Sequence, residues 1–339
     1  MSTKTINLGV IGAGRIGKIH AENLATRIRG ARLAAVADVN LAAAQEVATQ
    51  FHVPVATADY RQLLAAPDIH AVAICTATDT HAEIIQAAAA QGKHIFCEKP
   101  IDLDLQRIQQ ALAAVSKAGV KFQVGFNRRF DPSFAKAREL VAAGKIGAPH
   151  QVRITSRDPA PPPIAYVRVS GGIFLDMTIH DFDMVRFLSG SEAVEVFAMG
   201  ASLVDPEIGR AGDVDTCVVT LRLQNGALAT IDNSRRAVYG YDQRVEVFGS
   251  AGMVAVSNRK PDNHVLLNAE IVSSAKPQYF FLERYAEAYV VELQQFVDCV
   301  HYGTTPSVGG TDGLMAVVLG LAARKSLQEN RPVKVSEIY

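Results

Sequence analysis

Short apolar runs alternate with alanine-rich stretches through the first third of the chain. The short runs are rich in β-branched residues and predict strands at 6–11, 32–37, 71–75, 94–97 and 121–125. The stretches between them have helical periodicity and predict helices at 16–27, 41–51, 80–91 and 105–118. Strands that alternate with helices form a parallel sheet with helices on both faces. We therefore expect an α/β domain over residues 1–126.

The pattern changes after residue 125 and predicts a second domain over residues 127–339. Alternating apolar positions predict strands at 149–156, 195–201, 216–223, 227–234, 243–249 and 253–257. Helices are expected at 132–143, 281–302 and 312–328. Asn225-Gly226 is typical of a hairpin turn, and the proline-rich stretch 158–163 fits a loop over a site better than a linker. This domain is predicted to be α+β with an open, mostly antiparallel sheet.

Composition narrows the class of protein. The chain has 339 residues, of which 49% are hydrophobic and 20% charged, and its formal net charge is zero. A protein without a positive field is not expected to bind nucleic acid or an anionic membrane as its main partner. The four cysteines lack zinc-site spacing and fit free thiols in a reducing compartment. Neither a signal peptide nor a membrane span is expected, so we predict a cytoplasmic protein.

A glycine-rich turn lies between the first strand and the first helix. Gly12-x-Gly14-x-x-Gly17 allows a tight turn and brings the backbone N–H groups of a helix N-terminus close to a pyrophosphate. Asp38 ends the second strand, where an acid accepts hydrogen bonds from the adenosine ribose. It would repel a 2′-phosphate, and Val39 and Asn40 follow instead of an arginine. The turn therefore predicts NAD as the cofactor in preference to NADP.

Further polar residues follow the later strands of the parallel sheet, at the edge where ligands bind. Lys99 lies between Glu98 and Pro100, and the proline favours a bent, non-helical backbone there. Position alone does not separate a functional lysine from an ordinary surface lysine. His81 fits packing or helix capping better than catalysis. The predicted cofactor-binding residues are Gly12, Gly14, Arg15, Ile16, Gly17, Asp38, Thr76, Glu98 and Lys99.

An almost entirely apolar stretch, 173–188, predicts a buried helix. Asp176, His180 and Asp183 have the spacing of residues on one face of that helix. Ionisable groups in such surroundings are costly unless they are paired or used in chemistry. Their spacing is thus compatible with a catalytic site and with a hydrogen-bonded structural network.

Four segments give the chain a specific resemblance. They are the turn at Gly12, Phe96-Cys97-Glu98-Lys99-Pro100, 124–131 and 171–183. With these segments in this order, the chain resembles the Gfo/Idh/MocA family of NAD(P)-dependent oxidoreductases over nearly its whole length. Ser156-Arg157-Asp158-Pro159, Tyr239-Gly240-Tyr241-Asp242 and 284–289 are similar to members that oxidise inositols. One departure is Thr76-Ala77, where many relatives have Thr-Pro.

The resemblance implies an N-terminal Rossmann domain and a role for individual residues. The family's catalytic lysine corresponds to Lys99, and its Asp–His pair to Asp176 and His180. His180 is then the general base, Asp176 orients it, and Lys99 stabilises the negative charge that develops on oxygen. Arg128 and Tyr241 are the implied contacts of the substrate. No metal is expected in this chemistry.

The implied reaction is NAD-dependent oxidation of a secondary hydroxyl of a cyclic polyol, with myo-inositol giving 2-keto-myo-inositol (scyllo-inosose) in inositol catabolism. The family also implies self-association, often as a tetramer, through the second sheet. Two alternatives remain open. One is a sister dehydrogenase for scyllo-inositol, chiro-inositol or a pyranose sugar. The other is an NAD-binding regulator without catalysis, in which Lys99, Asp176 and His180 would have no common use.

Overall fold

Six parallel strands form one sheet in the computed structural model, which describes residues 5–339. The strands are β1 (Ile6–Ile11), β2 (Ala31–Ala37), β3 (Val55–Thr57), β4 (Ala71–Ile74), β5 (His94–Glu98) and β6 (Phe122–Gly125). Their order is β3-β2-β1-β4-β5-β6, so the chain reverses its direction of progress between β1 and β4. This is the Rossmann order, in which ligands bind beyond the carboxyl ends of the strands at the reversal. The predicted parallel sheet is confirmed.

Helices connect these strands. They are α1 (Arg15–Thr26), α2 (Leu41–Gln50), α3 (Tyr60–Ala65), α4 (Thr78–Ala90) and α5 (Leu105–Ala118). The sequence pattern did not predict β3 or α3. β3 has only three residues, which is too short to show a period. Gly119 ends α5 in a left-handed conformation, as expected for a glycine at that position.

A second, mixed sheet follows along the chain. Its strands are β7 (Pro149–Arg157), β8 (Ala193–Ala201), β9 (Thr216–Leu223), β10 (Leu228–Ser234), β11 (Asp242–Gly249), β12 (Gly252–Val256) and β15 (Val333–Lys334). A separate hairpin consists of β13 (Val265–Leu267) and β14 (Val272–Ser274). The order is β12-β11-β7-β10-β9-β8-β15, and only the β7–β10 pair within this sheet is parallel. The predicted open, mostly antiparallel sheet is confirmed, as is the hairpin at Asn225-Gly226.

The remaining helices are more numerous and more interrupted than the pattern predicted. They are α6 (Pro132–Ala142), α7 (Ile164–Val167), α8 (Gly172–Asp176), α9 (Thr178–Ser189), α10 (Pro206–Arg210), α11 (Phe281–Arg284), α12 (Ala286–Tyr302) and α13 (Gly310–Glu329). The helices predicted at 173–188 and 281–302 are each divided, at Met177 and Tyr285. The proline-rich stretch is a loop that leads into α7, as expected.

Residue contacts divide the chain into two units. The first contains the described residues up to Asn127 together with Ala288–Met315, and the second contains Arg128–Glu287 and Ala316–Tyr339. Most of α12 belongs to the first unit because its apolar residues join the core beside β1 and β5; these are Leu293, Phe296 and Val297. A single division into domains of residues 1–126 and 127–339 stays a prediction. Among the described residues, no helix is both long and apolar enough to span a bilayer.

Candidate active site

The glycine turn of the first unit is shaped by close backbone contacts. Gly12 has φ +101°, and a Cβ on it would lie 2.6 Å from the carbonyl carbon of Cys75. A Cβ on Gly17 would lie 1.8 Å from the carbonyl oxygen of Gly12. Gly14, just before α1, has no such neighbour within 4 Å and faces open space. The N-terminus of α1 is thus approachable by an anion, which is the fit that a pyrophosphate requires.

Asp38 fixes this turn from the end of β2. Its carboxylate accepts hydrogen bonds from the backbone N–H of Ala13 at 2.6 Å and of Asn40 at 2.8 Å. A carboxylate has further acceptor positions, which suit ribose hydroxyls. The next residue, Val39, is 94% exposed and offers no cation to a 2′-phosphate. The geometry around Asp38 therefore fits NAD.

The other predicted cofactor residues lie at the same edge of the first sheet. Thr76 follows β4, Glu98 ends β5, and Lys99 comes next; all three are half-buried. Arg15 and Ile16 open α1, where Arg15 is exposed. These placements match the predicted positions, while their roles stay predictions.

His81 has a structural position. It is buried, with Nδ1 2.8 Å from the carbonyl oxygen of Pro100 and Nε2 3.1 Å from that of Thr76. Burial lowers the pKa of the imidazole. The ring links the two edge loops that follow β4 and β5. These contacts favour a packing role for His81. The peptide bond between Lys99 and Pro100 is cis.

The second unit places Asp176 and His180 on two different helices. Asp176 is the last residue of α8 and His180 lies in the first turn of α9, so the prediction of one continuous helix is wrong. The Thr178 hydroxyl donates to Asn233 Oδ1 at 2.6 Å and lies 3.2 Å from the carbonyl oxygen of Ile173. Such side-chain hydrogen bonds compete with regular helix formation.

Asp176 is held by two donors that the sequence pattern did not reveal. The Tyr166 hydroxyl donates to Oδ1 at 2.9 Å, and Arg235 Nη1 donates to Oδ2 at 3.1 Å. Arg235 is only 1% exposed. Its guanidinium holds Asp176 through a charge-assisted hydrogen bond. Nothing in Ser234-Arg235-Arg236 distinguishes this arginine from a surface residue.

Asp183 has a different set of partners. Its two carboxylate oxygens accept from Arg129 Nε and Nη2 at 2.8 and 2.6 Å. This bidentate pair is a strong, geometrically specific interaction. Asp183 therefore takes part in a structural ion pair, as the network interpretation of the stretch proposed.

Arg128 and Tyr241, the predicted substrate contacts, are both buried in the second unit. Arg128 donates to Asp181 at 2.5 Å and to the Ser156 hydroxyl at 3.2 Å. The ring of Tyr241 meets that of Tyr285 edge-on, with centroids 6.0 Å apart. Burial raises the pKa of Tyr241 well above its ordinary value, so its hydroxyl stays protonated and able to donate.

Asp158 is a further polar residue near these groups, and sequence reasoning gave it no role. It follows β7 and is partly buried. Its pKa is raised to about 6, mainly by burial; Asp176 adds to the rise, while Arg235 and Arg128 oppose it. The motif Ser156-Arg157-Asp158-Pro159 drew attention to this position but not to its chemistry.

Comparison with known proteins agrees with both halves of the chain. Residues 6–126 match the family model for an oxidoreductase family with an NAD-binding Rossmann fold, and residues 134–255 match the Gfo/Idh/MocA C-terminal domain. The chain belongs to the Gfo/Idh/MocA family. The resemblance stated from its motifs is confirmed.

Individual members of the Gfo/Idh/MocA family match along the whole chain. A myo-inositol 2-dehydrogenase of Thermotoga maritima is 52% identical, over 98% of this chain and 99% of the relative. An inositol 2-dehydrogenase of Rhizobium meliloti is 48% identical, over 98% of this chain and 100% of the relative. The structure of a scyllo-inositol dehydrogenase from Lactobacillus casei with bound NAD(H) and scyllo-inositol is 34% identical, with a TM-score of 0.92, and covers 98% of this chain and 100% of that one.

Proposed function

We propose that this protein is an NAD-dependent dehydrogenase that oxidises myo-inositol to 2-keto-myo-inositol. The observation that carries the proposal is the full-length identity of 52% and 48% with two inositol 2-dehydrogenases. The glycine turn with Asp38 supplies the cofactor end of such a reaction. Bound NAD would accept the hydride at C4 of its nicotinamide.

The chain's own residues would move the proton and hold the charge. His180 takes the proton of the reacting hydroxyl as general base. Asp176, fixed by Tyr166 and Arg235, orients His180 and favours its protonated form. Lys99 stabilises the negative charge that develops on the substrate oxygen. An ammonium group stabilises negative charge without transferring a proton. Lys99 and His180 therefore have separate roles, charge stabilisation and proton acceptance.

Arg128, Tyr241 and Asp158 would recognise the other hydroxyls of the ring. A polyol presents donors and acceptors around its whole circumference, so it needs both kinds of group from the protein. Arg128 and Tyr241 supply donors, while ionised Asp158 supplies acceptors. A site built to hydrogen-bond hydroxyls rejects analogues that lack them, because its polar groups are then left unpaired.

Oxidation of scyllo-inositol is a second candidate. It is favoured by the similarity to the Lactobacillus casei enzyme described above, although at the lower identity of 34%. The two inositols differ in the configuration of a single hydroxyl. The donors and acceptors that face that hydroxyl therefore decide between them.

The exposed face of the second sheet supports self-association as a tetramer. Met199 lies opposite Val218, and Leu228 and Phe248 lie on the two sides of Gln151, so these four apolar side chains share one face of the sheet. Their exposed fractions are 60%, 52%, 46% and 45%. Apolar patches of this kind mark interaction surfaces. With its four free cysteines, the protein is proposed to work in the reducing cytoplasm.

The test is a panel of substrates followed by NADH absorbance. Purified protein is mixed with NAD or NADP and with myo-inositol, scyllo-inositol, chiro-inositol or glucose. We expect the highest kcat/KM with NAD and myo-inositol. A higher value with scyllo-inositol would favour the second candidate, and a higher value with NADP would refute the role of Asp38. Absence of turnover with every polyol, despite NAD binding, would indicate a regulator.

A further inference from the structure

Three ionisable side chains meet in the interior of the first unit. His20 lies on α1, Glu98 ends β5, and Glu292 lies on α12. One nitrogen or oxygen atom of each lies within 4.8 Å of the others. His20 Nε2 and Glu98 Oε1 are 2.7 Å apart, which is a hydrogen-bond distance. The glycine turn and the reaction steps described above assign no role to these contacts.

The surroundings of the cluster are poor in compensating charge. His20 and Glu292 are both 0% exposed. Aromatic rings enclose His20, with centroids 5.0 Å away for Phe96 and 5.8 Å away for Tyr289. Neither carboxylate oxygen of Glu292 has a hydrogen-bond partner. An ionised carboxylate in such a position is very costly.

Other titratable groups also face the two carboxyl groups. Cys75, which follows β4, and Cys97, on β5, lie near Glu98; burial raises the pKa of both thiols well above the ordinary value, which keeps them neutral. Burial lowers the pKa of His81, on α4, and the nearby charge of Glu98 opposes that shift. The charge that acts on Glu292 is that of Glu98. Within residues 5–339, no arginine contributes to the shift in the pKa of Glu292.

Two carboxyl groups this close cannot both ionise cheaply. Glu98 has a hydrogen-bond partner in His20, whereas neither carboxylate oxygen of Glu292 has one, so a negative charge is better supported on Glu98 than on Glu292. Burial, followed by the charge of Glu98, raises the pKa of Glu292 well above its ordinary value. When Glu292 carries a proton, the cluster avoids repulsion between two buried carboxylates.

We propose that Glu292 is a protonated, neutral acid and that, together with His20, it positions Lys99 through Glu98. Glu98 immediately precedes Lys99 and has little room to move. A Cβ on Gly125 of the neighbouring strand β6 would lie 3.0 Å from Glu98 Oε2. If Glu292 ionised, repulsion would displace Glu98, and the end of β5 with Lys99 would follow.

The spectroscopic test does not depend on any substrate. The infrared spectrum of the full-length protein is recorded at pH 8, where Asp158, with its pKa of about 6, is ionised. We expect the C=O stretch of a protonated carboxyl group in the wild type and its loss in Glu292→Gln. Glu287→Gln, at an exposed position of the same helix, is the matched control and keeps the band. A band that survives in Glu292→Gln overturns the proposal.

The kinetic test rests on the proposed function. Glu292→Gln preserves the shape and neutrality of a protonated acid, so its kcat should stay within about twofold of wild type. Glu292→Leu removes the polar contact, and its kcat should fall about ten- to hundredfold through misplacement of Lys99, with the KM for NAD unchanged. Equal losses in the two variants, or no loss in Glu292→Leu, would overturn the positioning role.

Two further results separate the possible failures. One divalent metal ion per chain in the purified wild type, lost in Glu292→Gln, would mean that a cation and not a proton neutralises the cluster. A wild type that is inactive on every polyol would refute the proposed function. The infrared result would then still decide whether Glu292 is protonated.

Discussion

In the second unit, the buried carboxylates of Asp131 and Asp181 are met by arginines, whereas in the first unit Glu292 is met by another carboxylate. Asp181 is hydrogen-bonded to Arg128, Asp131 to Arg284, and both aspartates are at most 1% exposed. Glu292 is equally buried but faces Glu98. Two regions of one chain therefore neutralise a buried carboxyl group by different means.

The difference matters because an arginine and a proton respond differently to their surroundings. An arginine stays charged at every pH that a protein survives, so the pairs of the second unit are fixed features. A proton can be lost, so the cluster of the first unit depends on its environment. The arginine–aspartate pairs of the second unit are thus permanent charges, while the proton proposed on Glu292 in the first unit is adjustable.

Removal of an arginine should cause the largest loss of stability. In Arg128→Met, Asp181 is left buried without its cation, and we expect the free energy of unfolding to fall by about 3–5 kcal/mol. Urea denaturation at pH 7.5 measures this. Glu292→Leu leaves no charge behind and should change stability by less than about 1 kcal/mol if Glu292 is neutral.

A surface pair is the matched control for Arg128. Arg61 lies 3.1 Å from Glu83, with side chains 65% and 63% exposed. Arg61→Met should cost about 0–1 kcal/mol, because exposed ion pairs contribute little. If Arg128→Met were as mild as Arg61→Met, the contrast between the two units would not hold.

Loss of the lysine that follows Glu98 should have the next largest effect. Lys99→Ala removes the charge that stabilises the substrate oxygen, so turnover should fall about 100- to 1,000-fold. The dissociation constant for NAD, measured by titration calorimetry, should stay near that of the wild type. Lys117→Ala, at an exposed position on α5, should leave both quantities unchanged. Normal turnover in Lys99→Ala would make this lysine a bystander.

The Asp–His pair gives a test within the second unit. His180→Ala should lower turnover roughly 100-fold and flatten the rise of the rate with pH, which reflects loss of a proton from the base. Asp176→Asn should keep its contacts to Tyr166 and Arg235 in part and lower turnover less. Thermal midpoints are measured alongside. A loss of midpoint with normal turnover per folded molecule would instead assign both residues to the structural network.

The fold of the first unit was largely predictable, because its signals are local. A strand, a glycine turn and a helix follow one another in sequence, and the predicted bounds of β1 match the structure. Asp38 follows the same logic, since it ends the next strand. What escaped was β3, whose three residues carry no period, and the place of α12, which depends on contacts with distant strands.

The polar partners of the second unit were less predictable. Apolar periodicity cannot show that the helix is interrupted at Met177, because the partner of the adjacent Thr178 hydroxyl is Asn233 on a distant strand. Only the tertiary fold brings Arg235 into hydrogen-bond contact with Asp176 and places Asp158 where the charge of Asp176 acts on it. The proton that we propose on Glu292 also depends on tertiary contacts, because Glu98 and Glu292 are far apart in sequence. The sequence thus predicted which side chains carry the chemistry better than it predicted their hydrogen-bond and ion-pair partners.

Asp158 provides the smallest expected effect and the most specific dependence on pH. Its pKa is about 6 in the folded protein against 3.8 ordinarily. Between these values the folded state binds more protons than the unfolded state, so stability falls as pH rises through that window. Asp158→Asn removes this penalty. The variant should match the wild type near pH 4 and exceed it by about 1–2 kcal/mol at pH 8, after allowance for partial exposure. Urea denaturation across this range, with exposed Asp298→Asn as the control, measures the difference. A gain independent of pH would show that ionised Asp158 is not destabilising, because the nearby arginines compensate its burial.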